Sequence, residues 1–407
     1  MSACSRTRPV DRIIVAPSSL KATMISDPFT VFLVLAAVVY VAIRLEERFT
    51  LFRSLSAALV GILIGMVLSN IGLIPGTSPA YEFLMGTGVN VGIALILLSV
   101  DLRSILQAGP KMLAAFGIGA VGTAAGAMTG ALFLSGLVGP ETWKLAGQFT
   151  GTYTGGGVNF AAVGKALGTS SDMFAAATAA DVIVTAVWMA ACLMVPVLLG
   201  RPNQSEVSQA GAAGSTDDTP AEVTLEHTLH SSVRALSLSD AAALVTIAVG
   251  AVWAAGELGA LVPGIPDVLW LTTIILAVAQ IPAIKGLTGS ALFGNYLVLL
   301  FLASNGARSV VATLIAIGPP VFYFAIVTVA IHGVVIFGIG RMARIDLATL
   351  AVASQANVGG PASAMALSSA RGYADTLLPG VAVGLLGYAV GNYLGLAVAA
   401  TIHGMIG

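Results

Sequence analysis

The sequence predicts an all-α polytopic membrane protein of about 11–12 transmembrane helices in two repeats, and three observations carry that expectation. Only 9% of the 407 residues are charged while 57% are hydrophobic, whereas a soluble domain needs about 25% charged residues to solvate its surface. Apolar stretches recur along the chain at the length of about 20 residues that crosses a bilayer core of about 30 Å. The 47 glycines exceed the average usage of roughly 7%, and glycine lets membrane helices approach closely or break. The balance of 18 Lys+Arg against 19 Asp+Glu leaves no basic excess for phosphates, which excludes nucleic acid as a partner. Cys4 in a polar tail and Cys192 in an apolar run make no disulfide framework.

Taken in order, residues 1–26 form a tail carrying Arg6, Arg8, Arg12 and Lys21. No apolar core of a signal peptide precedes Met24, so both a disordered basic arm and a start at Met24 stay open. The first repeat, 27–199, contains apolar stretches near 28–44, 51–74, 83–100, 112–137, 144–166 and 172–199. Residues 200–238 are polar, with Asn203, Glu206, Asp217, Asp218 and Pro220, and predict a disordered linker with a short amphipathic piece near 223–236. The second repeat, 239–407, contains stretches near 240–262, 267–282, 287–304, 311–340, 347–369 and 374–403. Arg44 to Arg53 is the most basic short loop and predicts a cytoplasmic position. Arg103 and Lys111 agree with that orientation, while Arg341 and Arg344 disagree if every segment crosses.

The two halves resemble one another. With Gly155-Gly156 placed on Gly359-Gly360, Ala162, Ala166 and Gly168 fall on Ala366, Ala370 and Gly372, and segments ending in Arg103-Ser104 and Arg308-Ser309 correspond. Paired interrupted helices in two halves are the sequence mark of a transporter site, because a Gly-Gly break frees backbone groups to face a ligand. An inverted repeat needs an odd number of crossings per half, whereas six and six is even. Either one segment fails to cross, the thin stretch 267–282 being the expected one, or the halves are parallel.

Candidate substrate-binding residues follow from the polar groups around the breaks. They are Thr152, Tyr153, Gly155, Gly156 and Asn159 in the first half, and Ser354, Asn357, Gly359, Gly360 and Ser363 in the second, where Pro361 also removes a donor. Asp181, about ten residues into an apolar helix, costs at least about 2.5–3.5 kcal/mol as an isolated charge, so it is expected to face the interior and either pair, protonate or bind a cation. Asn392 and His332 join it as ion-coupling candidates, although a lone histidine on an apolar helix is more often a hydrogen-bonded structural residue. The four-residue spacing of Gly384, Gly387, Gly391 and Gly395 predicts close helix packing. No metal constellation, P-loop, Gly-x-Ser-x-Gly or His-Glu-x-x-His occurs, so neither a cofactor nor an enzyme is expected.

The stretches Thr152–Phe160, Ala179–Asp181, Ala353–Ser363 and Gly387–Gly395 together resemble the YjcL-like membrane family, catalogued as domain of unknown function 819. The resemblance covers the chain after Met24. It implies a likeness to the cation/proton antiporter and anion transporter superfamily, with inverted repeats and crossed, broken helices. Gly157, Gln355 and Val182 stand where that family commonly has serine, asparagine and asparagine.

The expected function is a secondary transporter of the inner or plasma membrane. It moves a small anionic organic solute with Na⁺ or H⁺, in the lipid bilayer, with a homodimer left open. The alternative is a non-transporting receptor or assembly protein that docks partners through the polar linker.

Overall fold

The computed structural model of the chain describes residues 24–199 and 236–406. Nearly all of the expected tail and linker lies outside these residues. Helix α1 (Pro28–Arg48) begins where the Asp27 carboxylate accepts the Thr30 N–H at 2.8 Å and proline fills the first turn. Helix α2 (Thr50–Asn70) returns, and the Met24 and Ile25 N–H groups bond to the Gly72 and Leu73 carbonyls, so α1 starts at the face where α2 ends. Helix α3 (Pro79–Phe83) passes through a π-helical turn, Leu84–Gly88, into α4 (Val89–Leu97). The first half continues with α5 (Leu102–Leu106), α6 (Pro110–Val138), α7 (Thr142–Gly155), α8 (Gly157–Ala166) and α9 (Ser171–Leu199). The second comprises α10 (Leu238–Leu261), α11 (Asp267–Val278), α12 (Pro282–Lys285), α13 (Ser290–Arg308), α14 (Val311–Met342), α15 (Leu347–Ala370) and α16 (Ala374–Ile406).

Among the described residues, eight helical runs are long and apolar enough to cross a membrane: α1, the continuous α3–α4, α6, α9, α10, α13, α14 and α16. The protein is an integral membrane protein. Two of the twelve expected crossings, 144–166 and 347–369, fold back instead. Lys144 Nζ donates to the Gly168 carbonyl at 2.8 Å, the Ser170 N–H donates to Glu141 at 2.9 Å, and the Gln148 amide reaches the Phe160 carbonyl at 3.5 Å. A continuous helix would hold Lys144 and Gly168 about 36 Å apart, so α7 and α8 are the arms of one hairpin with its tip at Gly156. In α15 the backbone leaves the helical path at Gly360, and Val352 and Ala364, on either side of that point, both pack against Gly380 of α16. This is a second hairpin.

The hairpins open on opposite faces. At the open end of the first, Lys165 Nζ donates to the Gly86 carbonyl, Ser309 Oγ to the Ser171 carbonyl, and Asn70 Nδ2 to the Ser309 carbonyl. On the other face, Lys285 pairs with Asp101, and the Gln280 amide bonds to the Val100 carbonyl and the Leu102 N–H. Partial burial works to raise the Asp101 carboxyl, but the Lys285 ammonium and the Arg103 N–H hold it below the usual carboxylate range. The stretch 267–282 therefore crosses, against the expectation, running from Asp267 near Lys165 to Gln280 beside Val100.

Arg44, Arg48, Arg103, Lys111, Lys285, Arg341, Arg344 and Arg371 lie at this second face, and Lys144, Lys165 and Arg308 at the first. The positive-inside rule makes the second face cytoplasmic. The conflict at Arg341 and Arg344 came from counting 144–166 as a crossing, which inverted every later loop.

Helix α16 runs beside both hairpins along its glycines. A Cβ on Gly384 would lie 2.6 Å from Pro361 Cα, one on Gly387 2.8 Å from Gly155 Cα, and one on Gly395 2.7 Å from the Gly147 carbonyl oxygen. The backbones thus pack in direct contact, as small-residue membrane interfaces do. Aromatic contacts fix the first hairpin from below, with Phe149 stacked on Tyr153 at 5.6 Å and on Phe324 at 5.5 Å, and Phe160 edge-on to Phe174 at 4.8 Å.

Single cysteines in a chain lacking Cys4 and Cys192 test the folding back. Pro140→Cys and Ser170→Cys should both react with an impermeant maleimide from outside the cell, and Ala343→Cys and Ala374→Cys only after the membrane is opened. Labelling of either pair from opposite sides contradicts the hairpin.

Candidate functional site

The hairpin tips meet. Gly156 has φ 83 and ψ −176, and Gly360 has φ 77 and ψ −168, a region essentially confined to glycine that costs other residues about 1–3 kcal/mol. A Cβ on Gly156 would stand 3.6 Å from Gly360 Cα, and one on Gly360 3.7 Å from both the Gly155 carbonyl oxygen and the Tyr388 hydroxyl. The 14-residue α7 reaches about 21 Å inward from its face, and the first arm of α15 about as far from the other, which puts the contact near mid-membrane. Each second arm starts at its tip. Its unpaired first-turn N–H groups therefore concentrate positive potential there, next to the last carbonyls of the first arm.

Around this contact lies a layer of buried polar groups with too few partners. Thr152 Oγ1 stands 3.4 and 3.5 Å from the two carboxylate oxygens of Asp181 on α9. Tyr153 is fully buried, its hydroxyl faces that carboxylate, and it has no hydrogen-bond partner among the described residues. Asn159 Nδ2 donates to the Gly387 carbonyl at 2.8 Å, leaving Oδ1 unpaired, and Thr154 Oγ1 is unpaired as well. On the second hairpin both amide atoms of Gln355 are buried without partners, close to Gly359 and Ser363. Gly157, Gly359 and Ser363 keep some exposure, so the tips are not sealed. Buried polar atoms without partners are rare and costly in a native interior; among the described residues five of them belong to this layer, and others, such as Gln148 Oε1 and Asn392 Oδ1, lie further off.

Other expected site residues turn elsewhere. The Asn357 amide, oriented with its nitrogen toward acceptors, donates to the Ala353 carbonyl at 3.2 Å and the Phe116 carbonyl at 3.3 Å. Asn392 Nδ2 donates to Thr272 Oγ1 of α11 at 3.0 Å. His332 bonds at both nitrogens, Nδ1 lying 2.9 Å from both the Gly119 carbonyl and Thr123 Oγ1, and Nε2 2.9 Å from Ser354 Oγ.

The proton positions around His332 follow from its partners. A carbonyl only accepts, so Nδ1 carries the proton, Nε2 accepts from Ser354, and Ser354 accepts from Trp188 Nε1 at 2.9 Å. Thr123 Oγ1 donates in turn to the Tyr153 carbonyl at 2.8 Å. This chain ties α6, α9, α14 and α15 together beneath the first tip, with the imidazole in its neutral form. Thr123, Trp188 and the bare amide of Gln355 were not singled out by sequence reasoning, since a lone hydroxyl or indole in an apolar helix looks the same whether it faces lipid or a partner. Among the described residues no group of three or more His, Cys, Asp or Glu could hold a metal ion.

Ser354→Ala leaves His332 Nε2 and Trp188 Nε1 buried and unpaired. It should lower stability by roughly 2–4 kcal/mol, seen as a lower Tm in detergent, whereas Ser354→Thr should retain most of it. Gly360→Ala should cost about 1–3 kcal/mol from its positive-φ backbone alone, while Gly318→Ala, on open helix surface, should be neutral or better.

With this geometry in place, comparison with known proteins is direct. The profile of the family described as "Protein of unknown function (DUF819)" matches residues 30–405, which include both hairpins and α16 almost to its end. The chain is 27% identical over 370 residues to a Bacillus subtilis (strain 168) protein named "Uncharacterized membrane protein YjcL", a match covering 87% of this chain and 92% of that one. The similarity thus runs through both halves and the whole polar layer, and the chain belongs to the DUF819 family of membrane proteins.

Proposed function

We propose that this protein is a secondary transporter of a small anionic organic solute, coupled to Na⁺ or H⁺, whose two halves form an inverted repeat. The observation that carries this reading is the contact of two hairpin tips near mid-membrane, amid buried polar side chains that lack partners. Hydrocarbon tolerates non-helical backbone only where protein or a polar cavity surrounds it, and paired broken elements at the midplane are a recurrent way for a transporter to hold its cargo. The second arms, which start after Gly156 and Gly360, direct first-turn N–H groups such as those of Gly157 and Ala362 at an anionic group, Pro361 itself having none, while Asp181 offers the membrane interior a negative charge for the coupling cation.

Inversion is supported by the element order. Each half contributes five segments that join the two faces and one hairpin, an odd number of crossings, and the hairpins open on opposite faces. The breaks at Gly156 and Gly360 share nearly the same backbone angles and correspond in the internal alignment. Such an arrangement agrees with the likeness to the cation/proton antiporter and anion transporter superfamily. It also suits alternating access, in which the hairpins and α16 move against a frame of α1, α2, α4, α10, α11 and α13.

Purified protein in liposomes tests the proposal. Uptake of at least one member of a panel of organic anions should rise several-fold under an inward Na⁺ or H⁺ gradient, and Asp181→Asn should abolish the gradient's effect. If no anion enters above empty liposomes under either gradient, the transporter reading fails.

A further inference from the structure

We propose that the Asp181 carboxylate, Thr152 Oγ1 and the Tyr153 hydroxyl form a Na⁺ site, one per chain. This deepens the transporter reading, on which it rests only for the claim that Na⁺ is the ion that drives uptake.

The spacing of the oxygens is the first argument. A hydroxyl donating to a carboxylate normally closes to about 2.5–2.7 Å, yet Thr152 Oγ1 lies 3.4 and 3.5 Å from the two oxygens of Asp181. A hard cation of the size of Na⁺ or Ca²⁺ holds oxygen ligands at about 2.4 Å, so two ligands at right angles around it stand about 3.4 Å apart. The separation is that of neighbouring ligands on such an ion.

The second argument is independent of the first. Tyr153 has no exposed surface, and its hydroxyl is directed at the same carboxylate without closing to good hydrogen-bond geometry. Thr185, one turn further along α9, presents a third hydroxyl to Asp181. The positions of these side chains are enforced from outside. Tyr153 is stacked on Phe149, and its carbonyl is held by Thr123.

Charge and ligand type select the ion. None of the ion pairs among the described residues involves Asp181, so its charge is left to be met by a ligand. One carboxylate with neutral hydroxyls suits a monovalent ion, whereas Ca²⁺ draws on several carboxylates and transition metals on imidazole or thiolate, which this corner does not offer. Three or four protein oxygens leave the rest of the ion's shell to water or to the solute. The corresponding stretch of α16 carries no acid, so the second half contributes no equivalent site.

Thermal unfolding of the purified full chain in detergent, at constant ionic strength and pH, tests this without any solute. NaCl in place of KCl or choline chloride should raise Tm with a saturable dependence. Thr152→Val should weaken the apparent Na⁺ affinity about tenfold or more, consistent with the loss of one ligand. Thr152→Ser should restore it, Tyr153→Phe should weaken it, and Asp181→Asn should abolish the Na⁺-specific rise while the protein still unfolds cooperatively. The site is overturned if Na⁺ and K⁺ act alike on the native chain, or if Asp181→Asn keeps the full Na⁺ response. Anion uptake driven by a pH gradient and blind to Na⁺ would also overturn it while leaving the transporter reading intact. A Na⁺ response lost in Asp181→Asn, with no anion transported, would support the site and overturn the transporter.

Discussion

Everything near the middle of this protein depends on two backbones touching where neither has a side chain. Gly156 and Gly360 each adopt a left-handed conformation and face one another across 3.6 Å measured from a Cβ position to a neighbouring Cα. A residue with a side chain at either point would be strained by the backbone conformation, although a Cβ alone would meet its neighbours at ordinary contact distance. In water such a turn would simply be solvated. In a membrane its free N–H and C=O groups need protein around them, and α16 supplies that cover through glycines that let it lie directly on both hairpins.

From that contact the rest of the polar layer follows. Hairpins entering from opposite faces bring together two helix starts, two helix ends and the side chains that flank them. The His332, Ser354, Trp188 and Thr123 chain then fixes the first tip against four helices with every proton accounted for. The groups nearer the tips, Tyr153, Thr154, Asn159 and Gln355, are left incompletely paired. The proposed binding surface is drawn from these incompletely paired groups, and the hydrogen-bonded chain beneath them is its support.

Much of this was legible in the sequence. The shortage of charge places the chain in lipid, the polar residues around each glycine pair mark the two tips, and Asp181 stands out against an uncharged helix. The direction of 142–166 was not legible, because a hairpin of two short arms and a single crossing have the same length and composition. What distinguishes them is a contact such as Gln148 with Phe160, which no periodicity encodes. The misplaced Arg341 and Arg344 did signal a miscounted crossing, but short length pointed to 267–282 instead. That stretch crosses by joining α11 to the turn before α12. His332 and Asn392 looked like ion carriers for a similar reason: a polar residue in an apolar helix announces that it has a partner, not which one.

A map of the protein in a lipid nanodisc by electron cryo-microscopy tests the central claim most directly. The account requires α7–α8 and α15 to enter from opposite faces and turn back, with the backbones of Gly156 and Gly360 in contact near the bilayer midplane. A map in which either segment runs from one face to the other, or in which a layer of side chains separates the two glycines, would contradict it.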